Sequence, residues 1–202
     1  MARYEPHDKF YRQARERGLP SRAAFKIEEL IARFRLVRPG DRVADLGCAP
    51  GGWLTMLSRA VGEGGRVVGI DLAECRAPAP NVATIAGDIN QPSTREQAAA
   101  ALDGRARLVT SDLAPKLSGI RERDQAASIA LIEAAIDFAR AVLEPGGAMI
   151  AKCFMGSDFD RVRALFTRDF GKIEAVRTRA SRPGSSELYI VARGFNPARR
   201  TE

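Results

Sequence analysis

A chain of 202 residues, 45% hydrophobic and 28% charged, has the length of one domain and a composition that excludes collagen-like and wholly disordered classes. No apolar run approaches the ~20 residues a membrane span needs, and the opening MARYEPHDKF lacks the apolar segment of a secretory signal, so a cytoplasmic protein with no membrane partner is expected. The +7 net charge is uneven: residues 1–42 hold 11 Lys/Arg against 6 Asp/Glu and residues 161–182 hold 7 against 2, whereas residues 43–160 hold 11 against 15.

Two basic ends around an acidic middle suit a polyanionic partner such as nucleic acid, together with a cationic or polyol cofactor. Solvated Arg-rich faces are the plainer alternative. Cys48, Cys75 and Cys153 lie far apart without a CxxC spacing, and the single histidine, His7, sits near the start of the chain. A zinc site or a histidine-based triad is therefore not expected, and no metal is. The chemistry falls to carboxylates, amines, hydroxyls or a bound cofactor.

In chain order, SRAAFKIEELIARF (21–34) reads as a helix, with Ser21 as cap and Ile27, Leu30, Ile31 and Phe34 at i, i+3, i+4 and i+7. Pro39-Gly40 breaks the chain before the apolar run 42–47. Strands are expected at 66–71, 81–87, 106–112 and 147–154, and helices at 52–61, 93–102, about 124–143 and 158–168. Two closing strands, 172–179 and 187–195, are joined by the turn-rich ASRPGSS, too short for a parallel crossover, so that pair should be antiparallel. Strand–helix alternation predicts an α/β protein with a mostly parallel sheet covered on both faces. Residues 1–40 read as a basic helical extension facing the partner and 41–202 as the catalytic domain.

The first strand runs into DLGCAPGGW (45–53), where α/β sheets bind ligands beyond strand carboxyl ends. Gly47, Gly51 and Gly52 allow close backbone approach, and the helix from Gly52 offers free N–H groups. Pro50 removes the dinucleotide G-x-G-x-x-G spacing, and the Lys-Ser/Thr of a phosphate loop is absent. Asp71 ends the second strand, where an acid binds ribose hydroxyls. Asp88 ends the third, poised for an adenine amino group. Together these describe an adenosine site, against the alternative of tight turns with solvated acids. Trp53 packs either on the ligand or on the core.

Asp112 ends the fourth strand. Lys152 lies in the otherwise apolar GAMIAKCF, where a buried ammonium is costly unless paired, and Asp112 is its natural partner. Of the 32 basic residues 27 are Arg, so a lysine in a central strand hints at a need for a titratable amine. Glu187 begins the last strand, which should insert next to the Lys152 strand. Lys26 sits about 40° round from Leu30 on the first helix; spacing alone favours a lysine that snorkels to solvent.

DLGCAPGGW, GDI, SDLAPKLSG, PGGAMIAKCF and SSELYIVARGF, with FYRQARERGLPSRAAFKIEEL before them, resemble the ribosomal RNA large-subunit ribose 2'-O-methyltransferases of the FtsJ/RrmJ family over nearly the whole chain. The resemblance implies a Rossmann-like S-adenosylmethionine-dependent methyltransferase fold with seven strands, an antiparallel last strand and helices on both faces. It implies S-adenosylmethionine as methyl donor and a uridine of the 23S rRNA A-loop in the large ribosomal subunit as acceptor, with a monomeric enzyme expected. It also implies Lys152 as proton acceptor in a tetrad with Lys26, Asp112 and Glu187, and Gly51, Gly52, Trp53, Asp71, Asp88 and Asp112 as the cofactor site. Cys48 replaces an alanine of the bacterial heat-shock enzyme. Whether Lys152 takes the proton or mainly orients the hydroxyl stays open. The alternatives are tRNA or another RNA as substrate and, in a different class, a non-catalytic RNA-binding module; a nicotinamide dehydrogenase is disfavoured by the loop.

Overall fold

Short runs rich in Val, Ile and Leu, long enough for a strand and too short for a helix, condense into β1 (Arg42–Leu46), β2 (Arg66–Asp71), β3 (Val82–Ala86), β4 (Ala106–Ser111), β5 (Leu143–Phe154), β6 (Phe170–Val176) and β7 (Glu187–Phe195). The computed structural model describes residues 9–116, 118–182 and 184–198; His7 lies outside them. Among the described residues the strands form one seven-stranded sheet in the order β3-β2-β1-β4-β5-β7-β6. The first five pair in parallel, and β7 runs antiparallel to both β5 and β6. The late strand thus inserts beside the Lys152 strand, as its sequence position predicts, with Lys152 directly opposite Tyr189 and Phe154 opposite Glu187.

The helices are α1 (Lys9–Glu16), α2 (Ala24–Phe34), α3 (Gly52–Val61), α4 (Pro92–Leu102), α5 (Arg121–Val142) and α6 (Phe159–Thr167). They bury their apolar stripes in two layers. On one face Ala98, Leu102, Phe138 and Phe166 pack with Met149 and Ala151 of β5. On the other Ile27, Leu30, Leu54 and Leu57 pack with Ile150. The alternation of β5 between the layers is the period-2 pleat of a strand buried on both sides. Helix α2 belongs to the same apolar layer as α3, so part of the expected extension is core.

Four local expectations are corrected. Ser21 does not cap α2: Ala24 N donates to Ser21 O and Phe25 N to Arg22 O, so a tight turn precedes a helix that starts at Ala24 with no side-chain cap. Helix α5 begins at Arg121, because Asp124 accepts from Ser118 N and Gly119 N and so fixes the entering loop. Strand β5 begins at Leu143, where α5 passes straight into it with a register shift around Ala106 and Leu108 of β4. Strand β6 starts at Phe170, buried and paired with Phe195, and ends at Val176, two residues earlier and three residues earlier respectively than the periodicity suggests.

The strand order changes direction between β1 and β4. The chain leaves β1 towards β2 and β3 and returns to β4 on the other side, which opens a crevice at the carboxyl ends of these strands.

Candidate functional site

The crevice is built first from backbone. Gly47 (φ +78°) and Gly51 (φ +100°) hold left-handed conformations that glycine adopts at low cost. A Cβ at Gly47 would lie 3.1 Å from Leu113 Cδ2 and 3.3 Å from Asp112 C, so the loop after β1 is pressed against the loop after β4. Gly51 caps α3, turning the helix's first N–H groups to the crevice end of the sheet. Gly52 is buried under Ser21: a Cβ there would stand 2.6 Å from Ser21 Oγ.

Three acids gather at the strand ends. Asp71 Oδ2 accepts from Ala49 N (3.0 Å) and Oδ1 from Ala73 N (2.9 Å), which ties the loop after β1 to β2 and leaves further lone pairs on both oxygens. Asp88 Oδ1 takes both Asn90 N and Nδ2, and its other oxygen has no protein partner among the described residues. Asp45, unremarked in the sequence, is fully buried; its Oδ1 accepts from Thr110 Oγ1 at 2.7 Å while Oδ2 has no hydrogen-bond partner among the described residues. Burial pushes its carboxyl up to about 8 against the opposing Thr110 bond, with Asp112 and Asp71 adding like charge. An acid inside the apolar run RVADLG was the signal. Leu72, 80% exposed beside Asp71, was also missed.

Trp53 lies in the core: the indole Nε1 donates to Ala23 O at 2.9 Å and the ring packs on Tyr189. Cys48 and Cys153 are buried thiols, Cys48 held well above the ordinary thiol range and Cys153 pushed up to about 12, chiefly by burial, so neither is an active nucleophile.

Beside the crevice the four residues implied by the resemblance come together. Lys152 Nζ donates to Asp112 O at 2.6 Å and lies 3.3 Å from Asp112 Oδ1. Lys26 Nζ donates to Glu187 Oε1 (2.7 Å) and Oε2 (2.9 Å). Lys26 is therefore not a snorkelling surface lysine; its side chain is only 12% exposed, held between Glu187 and the Tyr189 ring. Glu187 pairs with Lys26, and Ser181 Oγ donates to it at 3.1 Å.

Tyr189, which the sequence reading missed, joins the two ion pairs. Its hydroxyl donates to Asp112 Oδ1 at 3.0 Å and accepts from Lys26 Nζ at 3.3 Å. Burial and the neighbouring Asp112 hold the phenol far above its ordinary range, so it remains a neutral donor. The period-2 spacing from Glu187 was the available signal. The result is one connected chain, Lys152–Asp112–Tyr189–Lys26–Glu187, in which Lys26 uses all three donor positions while Lys152 makes one hydrogen bond and one ion pair, both to Asp112, and keeps capacity for an incoming group.

The chain matches the FtsJ-like methyltransferase family over residues 19–195. Ribosomal RNA large subunit methyltransferase E of Anaeromyxobacter dehalogenans (strain 2CP-C) is 45% identical over 193 residues, 95% of this chain and 72% of that protein. Its namesake from Methanothermobacter thermautotrophicus is 40% identical over 196 residues, 96% of this chain and 93% of that one. Among solved structures, a ribosomal RNA methyltransferase from Plasmodium falciparum superposes with a TM-score of 0.75 at 26% identity, covering 87% of this chain and 97% of that one. Aeropyrum pernix fibrillarin, solved with natively bound S-adenosyl-L-methionine, gives 0.60 at 20% identity, covering 84% and 73%, a likeness of fold alone. The sheet described above is the Rossmann-like fold of S-adenosylmethionine-dependent methyltransferases that the sequence predicts.

Proposed function

Because this chain belongs to the FtsJ-like methyltransferase family, we propose that it transfers a methyl group from S-adenosylmethionine to a ribose 2'-hydroxyl of large-subunit ribosomal RNA, a uridine of the 23S A-loop. The observation that carries the proposal is the connected chain from Lys152 to Glu187 beside an acidic crevice. The relatives' name, ribosomal RNA large subunit methyltransferase E, supports the choice of RNA.

The crevice fits the donor. Buried Asp45 Oδ2, with no hydrogen-bond partner among the described residues, leaves a polar atom for the donor to satisfy, and neighbouring Asp71 and Asp112 suit its cationic groups. Asp71 would take the ribose hydroxyls, Asp88 the adenine amino group, and exposed Leu72 the flat face of the base. Gly51, Gly52 and the start of α3 would line its amino-acid end. Bound there, S-adenosylmethionine supplies an electrophilic methyl on a sulfonium.

A ribose hydroxyl is a poor nucleophile at neutral pH, so it must lose its proton as the new bond forms. Lys152 would hold the hydroxyl, and its Nζ, as neutral amine, would receive that proton. Asp112 fixes Lys152 through both its carbonyl and its carboxylate. Lys26 and Glu187 would position the ribose, with Tyr189 keeping the two ion pairs in one register. A second cleft, lined by Arg22, Lys26, Arg182 and Glu187, leads out from these residues and suits the adjoining phosphates.

Replacement Lys152→Ala should lower methyl transfer to large ribosomal subunits by at least about a hundredfold and leave S-adenosylmethionine affinity within about threefold. Full transfer by that variant would remove Lys152 from the reaction.

A further inference from the structure

On the far side of the same strand ends lies a cleft of about 370 Å³ that the methyl-transfer chemistry does not use. Its floor is Cys153, which follows Lys152, and Ser186, which precedes Glu187; Met155 N donates to Ser186 O at 2.8 Å and closes the two strand ends together. The pleat sends Lys152 to the α2 side of the sheet and Cys153 into the α5 layer. Phe154, the last residue of β5, returns to the Lys152 face about 7 Å along the strand, opposite Glu187, and borders the cleft at its rim between the two sites.

The cleft is chemically suited to a flat, uncharged group. One wall is Ile129 and Ile132 of α5 and the other Phe159 and Val162 of α6. Phe154 (38%) and Met155 (54%) are two of the four large hydrophobic side chains exposed among the described residues, and Leu72, a third, belongs to the donor crevice. The Phe154 and Met155 side chains adjoin the apolar walls of the cleft. Asp124 and Asp158 at the mouth oppose Arg121 and would repel a phosphate. The Asp158 carboxylate, with no hydrogen bond from the described residues, and the hydroxyl of Ser128 offer partners to the edge of a heterocycle.

We infer that this cleft receives an unstacked nucleobase of the RNA strand next to the reacting ribose, stacked on Phe154. The inference rests on the methyl-transfer reading above for the identity of the strand. Sequence-tolerant stacking on an exposed aromatic beside a backbone-gripping cationic cleft is how single strands are held, and the two clefts here flank the Lys152–Glu187 chain on either side.

The test measures equilibrium binding of unmodified large ribosomal subunits and of protein-free large-subunit rRNA, with methyl transfer assayed in parallel. Phe154→Ala should weaken both affinities by about 5- to 150-fold. S-adenosylmethionine affinity, melting temperature and the dependence of affinity on salt should stay unchanged, since no charge is removed. Phe154→Trp should restore binding, and Ser128→Trp, which fills the cleft from α5, should weaken it like Phe154→Ala. Affinity within twofold of the parent for Phe154→Ala and Ser128→Trp, with methyl transfer intact, overturns the cleft and leaves the enzyme reading standing. Phe154-dependent RNA binding without any methyl transfer does the reverse. Weakened binding to subunits alone, with protein-free rRNA unaffected, assigns the cleft to a ribosomal protein and overturns the nucleobase.

Discussion

Tyr189 is the residue on which the site's geometry turns, since its hydroxyl is the only described atom hydrogen-bonded to both ion pairs. Tyr189→Phe keeps the ring packed on Trp53 but leaves Asp112 Oδ1 and Lys26 each short of a partner. The expected cost is about 1–3 kcal/mol, read as a fall of about tenfold or more in kcat with the cofactor affinity kept; an unchanged kcat would make the hydroxyl incidental. Asp45 gives a second test at this scale. Its carboxyl, pushed up to about 8 by burial, binds a proton in the folded protein more tightly than in the unfolded chain. Between the ordinary carboxylate range near 4 and about 8, the folded state therefore holds the extra proton, and this group makes stability fall as pH rises. Asp45→Asn should flatten that fall, so the variant gains on the parent in urea unfolding between pH 5 and pH 8. Parallel pH curves for the two proteins would contradict the assignment.

At the scale of elements, α5, α6 and β6 are locked by a buried ion pair remote from the site. Asp169, fully buried between α6 and β6, accepts from Arg140 Nε and Nη2 of α5, with Nη2–Oδ2 at 2.7 Å. Arg140→Ala strands that carboxylate, and the loss should be about 3 kcal/mol, seen as a melting temperature lower by about 6–12 °C; a shift under 2 °C would mean the pair contributes little. Most elements were legible in the sequence because apolar run length and period identify them: α3 falls on 52–61 as read, and the antiparallel pairing of β6 with β7 follows from the short last connection. What was not legible depended on tertiary contact. Ser21 has the chemistry of a cap, yet the Arg22–Ala23 turn directs the helix start elsewhere. Lys26 looks like a surface lysine on a helical wheel until β7 brings Glu187 to it. Tyr189 in an apolar strand reads as core, and core packing accounts for its ring but not its hydroxyl. Helix α1, with one buried residue, has too weak an apolar stripe to stand out.

For the whole molecule, the acidic crevice and the Lys152–Glu187 chain lie at the carboxyl ends of the parallel strands, and Arg177, Arg179 and Arg182 follow β6 at that same end. Arg161, Arg163, Arg168, Lys172, Arg177, Arg179 and Arg182 are all exposed. If about four of the basic side chains meet phosphates, the logarithm of RNA affinity should fall with the logarithm of salt with a slope of about −3, measured by filter binding; a flat response would remove electrostatic docking from the account. Ribose 2'-O-methylation is measured as transfer from radiolabelled S-adenosylmethionine to large ribosomal subunits from a strain lacking the endogenous enzyme. The label is then mapped by resistance to alkaline cleavage, which a methylated 2'-oxygen confers on its own phosphodiester. Label should fall on one ribose of the large-subunit RNA and be lost in Lys152→Ala. Label on a base, or transfer that survives in Lys152→Ala, would contradict ribose methylation through Lys152.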